Sequence, residues 1–160
     1  SDSITPSTWT RMTPWMPWCH ANYSIEDSRS WLRMRAQMWG SGEAYDFTII
    51  DARDGAYLGG CGLNEVNAAN KMANLGYWVR TSRTKRGVAT AATLLLADFG
   101  FRELKLRRIE IVVAVGNHHS QRVAAKTGAK REGVLRNRLT LNDRVHDAVM
   151  FSLIPQDFTR

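Results

Sequence analysis

The sequence predicts a single mixed α/β domain with a β-hairpin near each end. Three observations lead to this class. The chain has 160 residues, which is the length of one domain. Hydrophobic residues make up 44% and charged residues 23%, the balance of a globular protein. Segments with helix and strand periodicity follow one another in the order α, β, β, β, α, β, α, β, β.

The first predicted element is a helix over residues 24–39. Ser24 can cap its start, with Asp27 three residues further on. Ile25, Leu32 and other residues at helical spacing form one apolar face, and Gly40 ends the pattern.

Six strands and two further helices complete the prediction. Asp54-Gly55 is a turn signal between the first two strands, and the apolar run over 109–115 is typical of a strand buried on both faces. Gly128 favours the left-handed end of a helix. The predicted strands are 45–51, 56–66, 73–80, 109–115, 130–140 and 145–153, and the predicted helices are 87–101 and 118–127.

The positive charge of the chain lies in its second half. The whole chain has 22 Lys and Arg against 15 Asp and Glu, a net charge of +7. Residues 1–80 carry 7 basic and 8 acidic side chains, whereas residues 81–160 carry 15 and 7. This asymmetry indicates an anionic partner, such as a phosphorylated cofactor or nucleic acid, or else a solvated basic face.

Several other classes are disfavoured. The two cysteines, Cys19 and Cys61, form no disulfide scaffold, and no residue pattern indicates a metal site. No apolar run approaches the ~20 residues of a membrane span, and the first ten residues do not resemble a signal peptide. A cytoplasmic protein is expected. The small residues over 59–62 lie inside a predicted strand, so they indicate close strand packing rather than a dinucleotide loop.

The loop before the second helix is the strongest candidate for binding. A strand ends near Arg80, and Arg83, Lys85 and Arg86 precede the helix that begins at Gly87. Free N–H groups at a helix N-terminus attract anions, and three cations beside them favour a pyrophosphate. An ordinary connecting loop with solvated basic side chains is the alternative.

The same segment carries a family resemblance. Arg86-Gly-Val-Ala-Thr90 resembles the acyl-CoA pyrophosphate loop of GNAT-superfamily N-acetyltransferases, Gln/Arg-x-x-Gly-x-Gly/Ala, with Thr84 at the Gln/Arg position. Further segments are similar to the Rim-type branch, which includes enzymes that acetylate the α-amino group of ribosomal proteins. They are Leu75-Gly-Tyr-Trp-Val-Arg80, Asn117-x-x-Ser120, Val123-Ala-x-Lys-x-Gly128 and Arg131-Glu-Gly-Val-Leu-Arg136. The resemblance covers about residues 14–155.

This resemblance implies a fold and a cofactor site. The fold is a twisted, mostly antiparallel sheet flanked by helices that opens between its fourth and fifth strands, where the pantetheine arm of acetyl-CoA binds. The first family strand lacks a counterpart in the sequence pattern, which would leave 45–51 as an unpaired sheet edge. The cofactor-binding residues implied are Val79, Arg80, Thr81, Arg86, Gly87, Val88, Ala89, Thr90 and Asn117. Asn117 could instead be a helix cap.

The resemblance also implies direct attack of a neutral amine on the thioester. Many family members place a tyrosine acid on the last helix, but the matching residue here is Ala124, so Ser120 is expected near the sulfur. Glu65 is the candidate base, with a solvated strand-end charge as the alternative. Trp15 and Trp18, which cluster with prolines, are expected to line the amine-side mouth.

The expected function is transfer of acetyl from acetyl-CoA to a primary amine, most naturally the N-terminal α-amine of a ribosomal or other protein. Two alternatives stay open: acetylation of a small amine (a polyamine, an amino acid or an antibiotic) and a non-catalytic acyl-CoA-binding module. One domain over residues 1–160 would perform the reaction without a metal, a membrane or direct nucleic-acid contact. The sequence leaves a homodimer open.

Overall fold

A computed structural model of the chain describes residues 44–51, 55–79 and 87–158, and the backbone of residues 32–38. Seven strands and two helices make up most of these residues. In chain order they are β1 (Leu32–Met38), β2 (Tyr45–Asp51), β3 (Tyr57–Asn67), β4 (Met72–Val79), α1 (Val88–Arg102), β5 (Arg108–Ala114), α2 (His118–Lys126), β6 (Lys130–Leu141) and β7 (Arg144–Leu153). A short 3₁₀ helix, Pro155–Phe158, follows β7.

The strands form one mixed sheet in the order β1-β2-β3-β4-β5-β7-β6. Among the strands that the structure describes, only β4 and β5 pair in parallel; the other pairs are antiparallel. A parallel pair requires a crossover connection, and α1 supplies it. The predicted mixed, mostly antiparallel sheet with helices is therefore confirmed.

The N-terminal edge of the sheet differs from the prediction. Residues 32–38 form strand β1, and β1 pairs with β2 from Leu32 opposite Asp51 to Met38 opposite Asp46. The predicted helix is therefore wrong over these residues, and so is the unpaired edge at 45–51. The segment Leu-Arg-Met-Arg-Ala-Gln-Met alternates apolar and polar residues, a strand period that the wider helical spacing obscured.

The core lies between the sheet and α1. Thirteen successive residues of this helix, Val88–Gly100, are buried. Alternate residues of the central strands pack against it, including Leu75 of β4 and Ile109 and Ile111 of β5. Because α1 is buried from Val88 to Gly100, its first turn is held in place by packing rather than by a side-chain cap.

The pairing between β4 and β5 stops after three residues. It joins Met72 to Arg108, Ala73 to Ile109 and Asn74 to Glu110. Beyond Asn74, the side of β4 that faces β5 has no ladder partner among the described strands. The sheet is therefore open between its fourth and fifth strands, as the family resemblance implies.

Candidate functional site

The open part of the sheet brings two helix N-termini to one end of the molecule. β4 and β5 run parallel, so their C-terminal ends lie at the same end of the sheet. After a connection, α1 begins beyond the end of β4, and α2 begins four residues after β5 ends. The two helices also contact each other. The opening, called the β4–β5 cleft below, is consequently flanked by two sets of helix N-terminal amides.

The first turn of α1 has no side-chain cap. Its N-cap is Gly87, in the left-handed region with φ of 70°, and the first helical bond runs from the Ala91 N–H to the Gly87 carbonyl oxygen at 3.0 Å. The N–H groups of Val88, Ala89 and Thr90 precede that bond, so they have no partner within the helix. The first turn contains no acidic residue. These features suit a negatively charged ligand.

Gly87 is required by its backbone conformation and not by lack of space. A Cβ built on Gly87 meets nothing within 4 Å, but a residue with a side chain rarely adopts its φ. Ala89, by contrast, is a core residue, 5% exposed.

The start of α2 is capped by Asn117. The Asn117 Oδ1 atom accepts a hydrogen bond from the Ser120 backbone N–H at 3.1 Å. The alternative reading of Asn117 as a helix cap is therefore what the structure displays, and its side-chain NH₂ stays available to a ligand. The Ser120 hydroxyl has no hydrogen bond to the residues that the structure describes, so its binding role remains a prediction.

Tyr77 connects the two sides of the β4–β5 cleft. It lies on β4 opposite Cys61 of β3, and its hydroxyl donates a 3.0 Å hydrogen bond to the Ser120 carbonyl oxygen at the start of α2. Burial raises the pKa of Tyr77, so the phenol keeps its proton. This bond fixes the first turn of α2 relative to β4.

Sequence reasoning missed Tyr77, although a signal was present. Leu75, Tyr77 and Val79 alternate along β4, and all three pack on the core face. A tyrosine between two apolar positions of a strand places its hydroxyl inside, where the hydroxyl needs a partner. The partner is 43 residues away in sequence, so only the fold identifies it.

Close packing of β3 against β4 explains the small residues at 59–62. A Cβ at Gly59 would overlap the Trp78 carbonyl oxygen, and one at Gly60 would meet the Trp78 indole at 3.2 Å. The interpretation of this segment as a strand that requires small residues is therefore confirmed. Gly59 pairs with Val79, whose other edge faces the β4–β5 cleft.

Glu65 lies away from the cleft. It is exposed, with φ of 49°, at an irregularity of β3 between Asn64 and Asn67. Val79 pairs with Gly59, six residues back along β3, which corresponds to about 20 Å at the rise of a strand. This position favours the alternative reading of Glu65 as a solvated charge at the end of a strand.

Five of the predicted site residues belong to segments that the structure does not describe. Trp15 and Trp18 at the expected amine-side mouth, and Arg80, Thr81 and Arg86 of the predicted cofactor site, lie outside the described residues. Ala124, at the position of the family's tyrosine, is fully buried in the core.

Within the described part of the chain, no three His, Cys, Asp or Glu side chains are grouped as metal ligands. None of its helices is long and apolar enough to cross a bilayer.

The fold and the β4–β5 cleft define a class of acyl-CoA-dependent transferases, and comparison with known proteins agrees. A family model described as an acetyltransferase (GNAT) domain matches residues 5–130. The chain therefore belongs to the GNAT acetyltransferase family.

The names of individual relatives refer to different substrates. YdaF of Bacillus subtilis, a candidate ribosomal N-acetyltransferase, is 35% identical over 66% of this chain, a stretch that spans 57% of YdaF. The structure of a candidate ribosomal-protein-serine acetyltransferase from Vibrio cholerae superposes with a TM-score of 0.68 at 34% identity, covering 73% of this chain and 67% of that one. The spermidine N(1)-acetyltransferase of Escherichia coli is 25% identical over 66% of this chain and 56% of its own.

Proposed function

We propose that the chain transfers the acetyl group of acetyl-CoA to the N-terminal α-amine of a protein. The observation that carries this proposal is the β4–β5 cleft, with the uncapped start of α1 at its open end. The cleft offers a strand edge that no described strand pairs with, which suits an extended arm, and α1 offers first-turn amides with no partner within the helix, which suit phosphates. Both features fit acetyl-CoA, which supplies an activated thioester to the reaction.

The proposed cofactor site extends along β4 and into α1. Backbone groups of Val79 and, by the family resemblance, of Arg80 and Thr81 would bond the pantetheine arm. The segment Arg86–Thr90 would hold the pyrophosphate, and Asn117 would contact the cofactor from the α2 side through its NH₂. Gly87 gives this segment its left-handed entry into the helix.

The chemical step needs three contributions from the protein. The backbone N–H near Val79 donates to the oxyanion that forms when the amine attacks. The Ser120 hydroxyl, on the first turn of α2, donates to the departing sulfur. The partial positive charge of the α2 N-terminus favours that same anion. The thiolate of a thiol with a pKa of about 8.5 leaves with only this help, and the proton that the attacking nitrogen loses passes through solvent to give the free CoA thiol.

The attacking amine must be neutral, and this requirement favours an α-amine as the acceptor. Glu65 would be the base in this proposal, although it lies six residues along β3 from Gly59, which pairs with Val79. An α-amine with a pKa of about 7.7–8.0 is partly neutral at pH 7, whereas a lysine amine near 10.4 is almost entirely charged. The α-amine therefore reacts with less assistance.

The names of the relatives support a protein acceptor, but one of them refers to a small amine instead. Two relatives at 34–35% identity carry ribosomal names, and a 25% identical relative is named for spermidine. The small-amine alternative is therefore retained as a second acceptor class. A non-catalytic module that binds acyl-CoA is the third outcome.

An assay of thiol release from acetyl-CoA distinguishes the protein acceptor, the small-amine acceptor and the non-catalytic module. The full chain is assayed with peptides bearing free N-termini, with the same peptides N-acetylated, and with spermidine. Turnover that requires a free peptide N-terminus supports the proposal. Turnover with spermidine alone overturns the acceptor, and binding of acetyl-CoA in calorimetry without any turnover overturns the enzyme activity.

A further inference from the structure

The solvent-facing side of α2 carries cations and no acid. The helix contains neither Asp nor Glu. Arg122 is exposed and lies one turn from His118 and His119, which are exposed too. Arg122 forms no ion pair or hydrogen bond with the residues that the structure describes. This side of α2 therefore offers a guanidinium group that no neighbouring carboxylate neutralises.

The first turn of α2 is fixed to both sides of the β4–β5 cleft. Tyr77 of β4 donates to the Ser120 carbonyl oxygen at 3.0 Å. The Gln121 side chain donates to the carbonyl oxygen of Val115, the residue after β5, at 2.7 Å. Arg122 is the next residue of the chain, so its backbone has a fixed place beside the open end of the cleft.

Acetyl-CoA carries more phosphate than the start of α1 accounts for. Two phosphate groups form the pyrophosphate, which the function proposed above assigns to the first turn of α1. A third phosphate is attached to the 3′-oxygen of the ribose. α1 has no Lys or Arg before Arg102, which is in its last turn, so the helix presents no cation near its start. The 3′-phosphate needs a donor from another element.

The nucleotide end of acetyl-CoA would lie next to α2. With the arm in the cleft and the pyrophosphate at the start of α1, the ribose stays outside the cleft at its open end. α1 and α2 contact each other, so an anion just beyond the start of α1 is close to the first turns of α2. Arg122 is in those turns, whereas Lys126 is a turn further from the open end.

We infer that Arg122 binds the 3′-phosphate of acetyl-CoA and selects the 3′-phosphorylated cofactor, and this inference rests on the function proposed above. The planar guanidinium group donates to two phosphate oxygens at once, which is why arginine suits a phosphate better than lysine does. His119, one turn earlier on the exposed side, supplies a ring N–H to the same phosphate. Dephospho-CoA keeps the pyrophosphate and the arm but lacks this contact.

The test removes the phosphate from the ligand and the guanidinium group from the protein in turn. Calorimetry compares CoA with 3′-dephospho-CoA on the full chain and on Arg122→Gln. The parent protein should bind CoA about tenfold more tightly than dephospho-CoA. Arg122→Gln should bind CoA about tenfold more weakly than the parent and dephospho-CoA as the parent does, so that the difference between the ligands disappears. Arg107→Gln, an exposed cation before β5, removes the same charge elsewhere and should keep the difference.

Two further variants identify the origin of the effect. Arg122→Lys keeps the charge and loses the planar fork, so it should restore part of the preference for CoA. Arg86→Gln changes a residue assigned to the pyrophosphate, so it should weaken CoA and dephospho-CoA by the same factor. Raising the salt concentration should shrink the preference of the parent protein, because the guanidinium group is exposed.

The outcomes separate this inference from the proposed function. A parent protein that binds CoA and dephospho-CoA equally overturns the inference, and so does an Arg122→Gln variant that keeps the preference. Equal weakening of both ligands by Arg122→Gln also overturns it, because the side chain would then act on the pyrophosphate or on the position of α2. Loss of the preference in Arg86→Gln alone would assign the 3′-phosphate to the loop instead. If the parent protein binds neither ligand, the proposed function itself fails.

Discussion

The two helices at the open end of the sheet begin in different ways. α1 begins at a left-handed glycine with no side-chain cap, whereas α2 begins at Asn117, which bonds the Ser120 N–H. The same end of the molecule therefore holds one helix whose first amides have no partner within the helix and one whose first turn is partly satisfied by its own side chain. The difference separates two roles: α1 has donors left for a bound anion, and α2 has a fixed first turn that positions Ser120.

The largest expected effect comes from changing the start of α1. Gly87→Val should weaken acetyl-CoA binding by about a hundredfold in calorimetry, because a β-branched residue is strained at a φ of 70° and will displace the first turn. Gly87→Asn is the matched control, since Asn tolerates the left-handed region, and it should keep most of the affinity. Equal losses in the two variants would show that the conformation of residue 87 is not what matters.

Ser120→Ala should affect the reaction and leave cofactor binding alone. The lost hydroxyl bond strengthens only as negative charge develops on sulfur, so kcat should fall about tenfold to a hundredfold with little change in the acetyl-CoA dissociation constant. Single-turnover thiol release measures the chemical step directly. A kcat within twofold of the parent would remove Ser120 from the mechanism.

Asn117→Asp sharpens the comparison because it separates capping from cofactor binding. Asp keeps an oxygen for the Ser120 N–H and loses the NH₂, whereas Asn117→Ala loses both. We expect Asn117→Ala to lower the free energy of unfolding by about 1 kcal/mol, as for a lost N-cap, and Asn117→Asp to leave it unchanged. If Asn117 contacts the cofactor, both variants weaken acetyl-CoA binding. If Asn117 only caps the helix, neither variant weakens it at a temperature where both are fully folded.

Tyr77→Phe tests whether α2 must be tied to β4. The change removes only the bond to the Ser120 carbonyl, which also has a helical donor available, so kcat should fall about twofold to fivefold with unchanged acetyl-CoA affinity. Phenylalanine keeps the packing of the ring. A larger loss in Tyr77→Phe than in Ser120→Ala would mean that the tyrosine hydroxyl acts on the reactants themselves.

The smallest effect lies far from both helix starts. Glu132 bonds Arg108 and Ser152, and these contacts lower its pKa from 4.5 to about 2. A carboxyl whose pKa falls on folding stabilises the protein above its unfolded pKa and loses that contribution as pH falls toward 2. Glu132→Gln should therefore flatten the dependence of thermal stability on pH between about 4.5 and 2 without changing kcat. An unchanged slope would contradict the ion pair.

Local patterns predicted most of the fold from β2 to β7. Predicted and observed bounds agree within one residue for the described elements over this range, because turns, glycines and burial periodicity all point to the same elements. The pattern at 32–38 failed because apolar residues there fit both a helix face and a strand face. Tertiary pairing with β2 selects the strand.

The candidate site was only partly predictable. Gly87 and Ser120 follow from a local motif, since a helix start is encoded by adjacent residues. The bond of Tyr77 to Ser120 depends on how the strand order brings β4 next to α2, which no short sequence segment contains. Glu65 was chosen by its place at a strand end, and only the register of β3 with β4 reveals that this end is about 20 Å from the position opposite Val79.

The three-residue ladder between β4 and β5 has a mechanical consequence. It is the point about which a four-stranded half and a three-stranded half of the sheet would pivot, and Gly100 of α1 is packed near it among Leu63, Leu106 and Ile109. From Asn74 to Val79 the strand is a lever of about 16 Å. Each degree of rotation about the pivot therefore moves the tip of β4 by about 0.3 Å. A rotation of a few degrees would therefore change the width of the β4–β5 cleft by about 1 Å at Val79 and hardly at all at the paired residues.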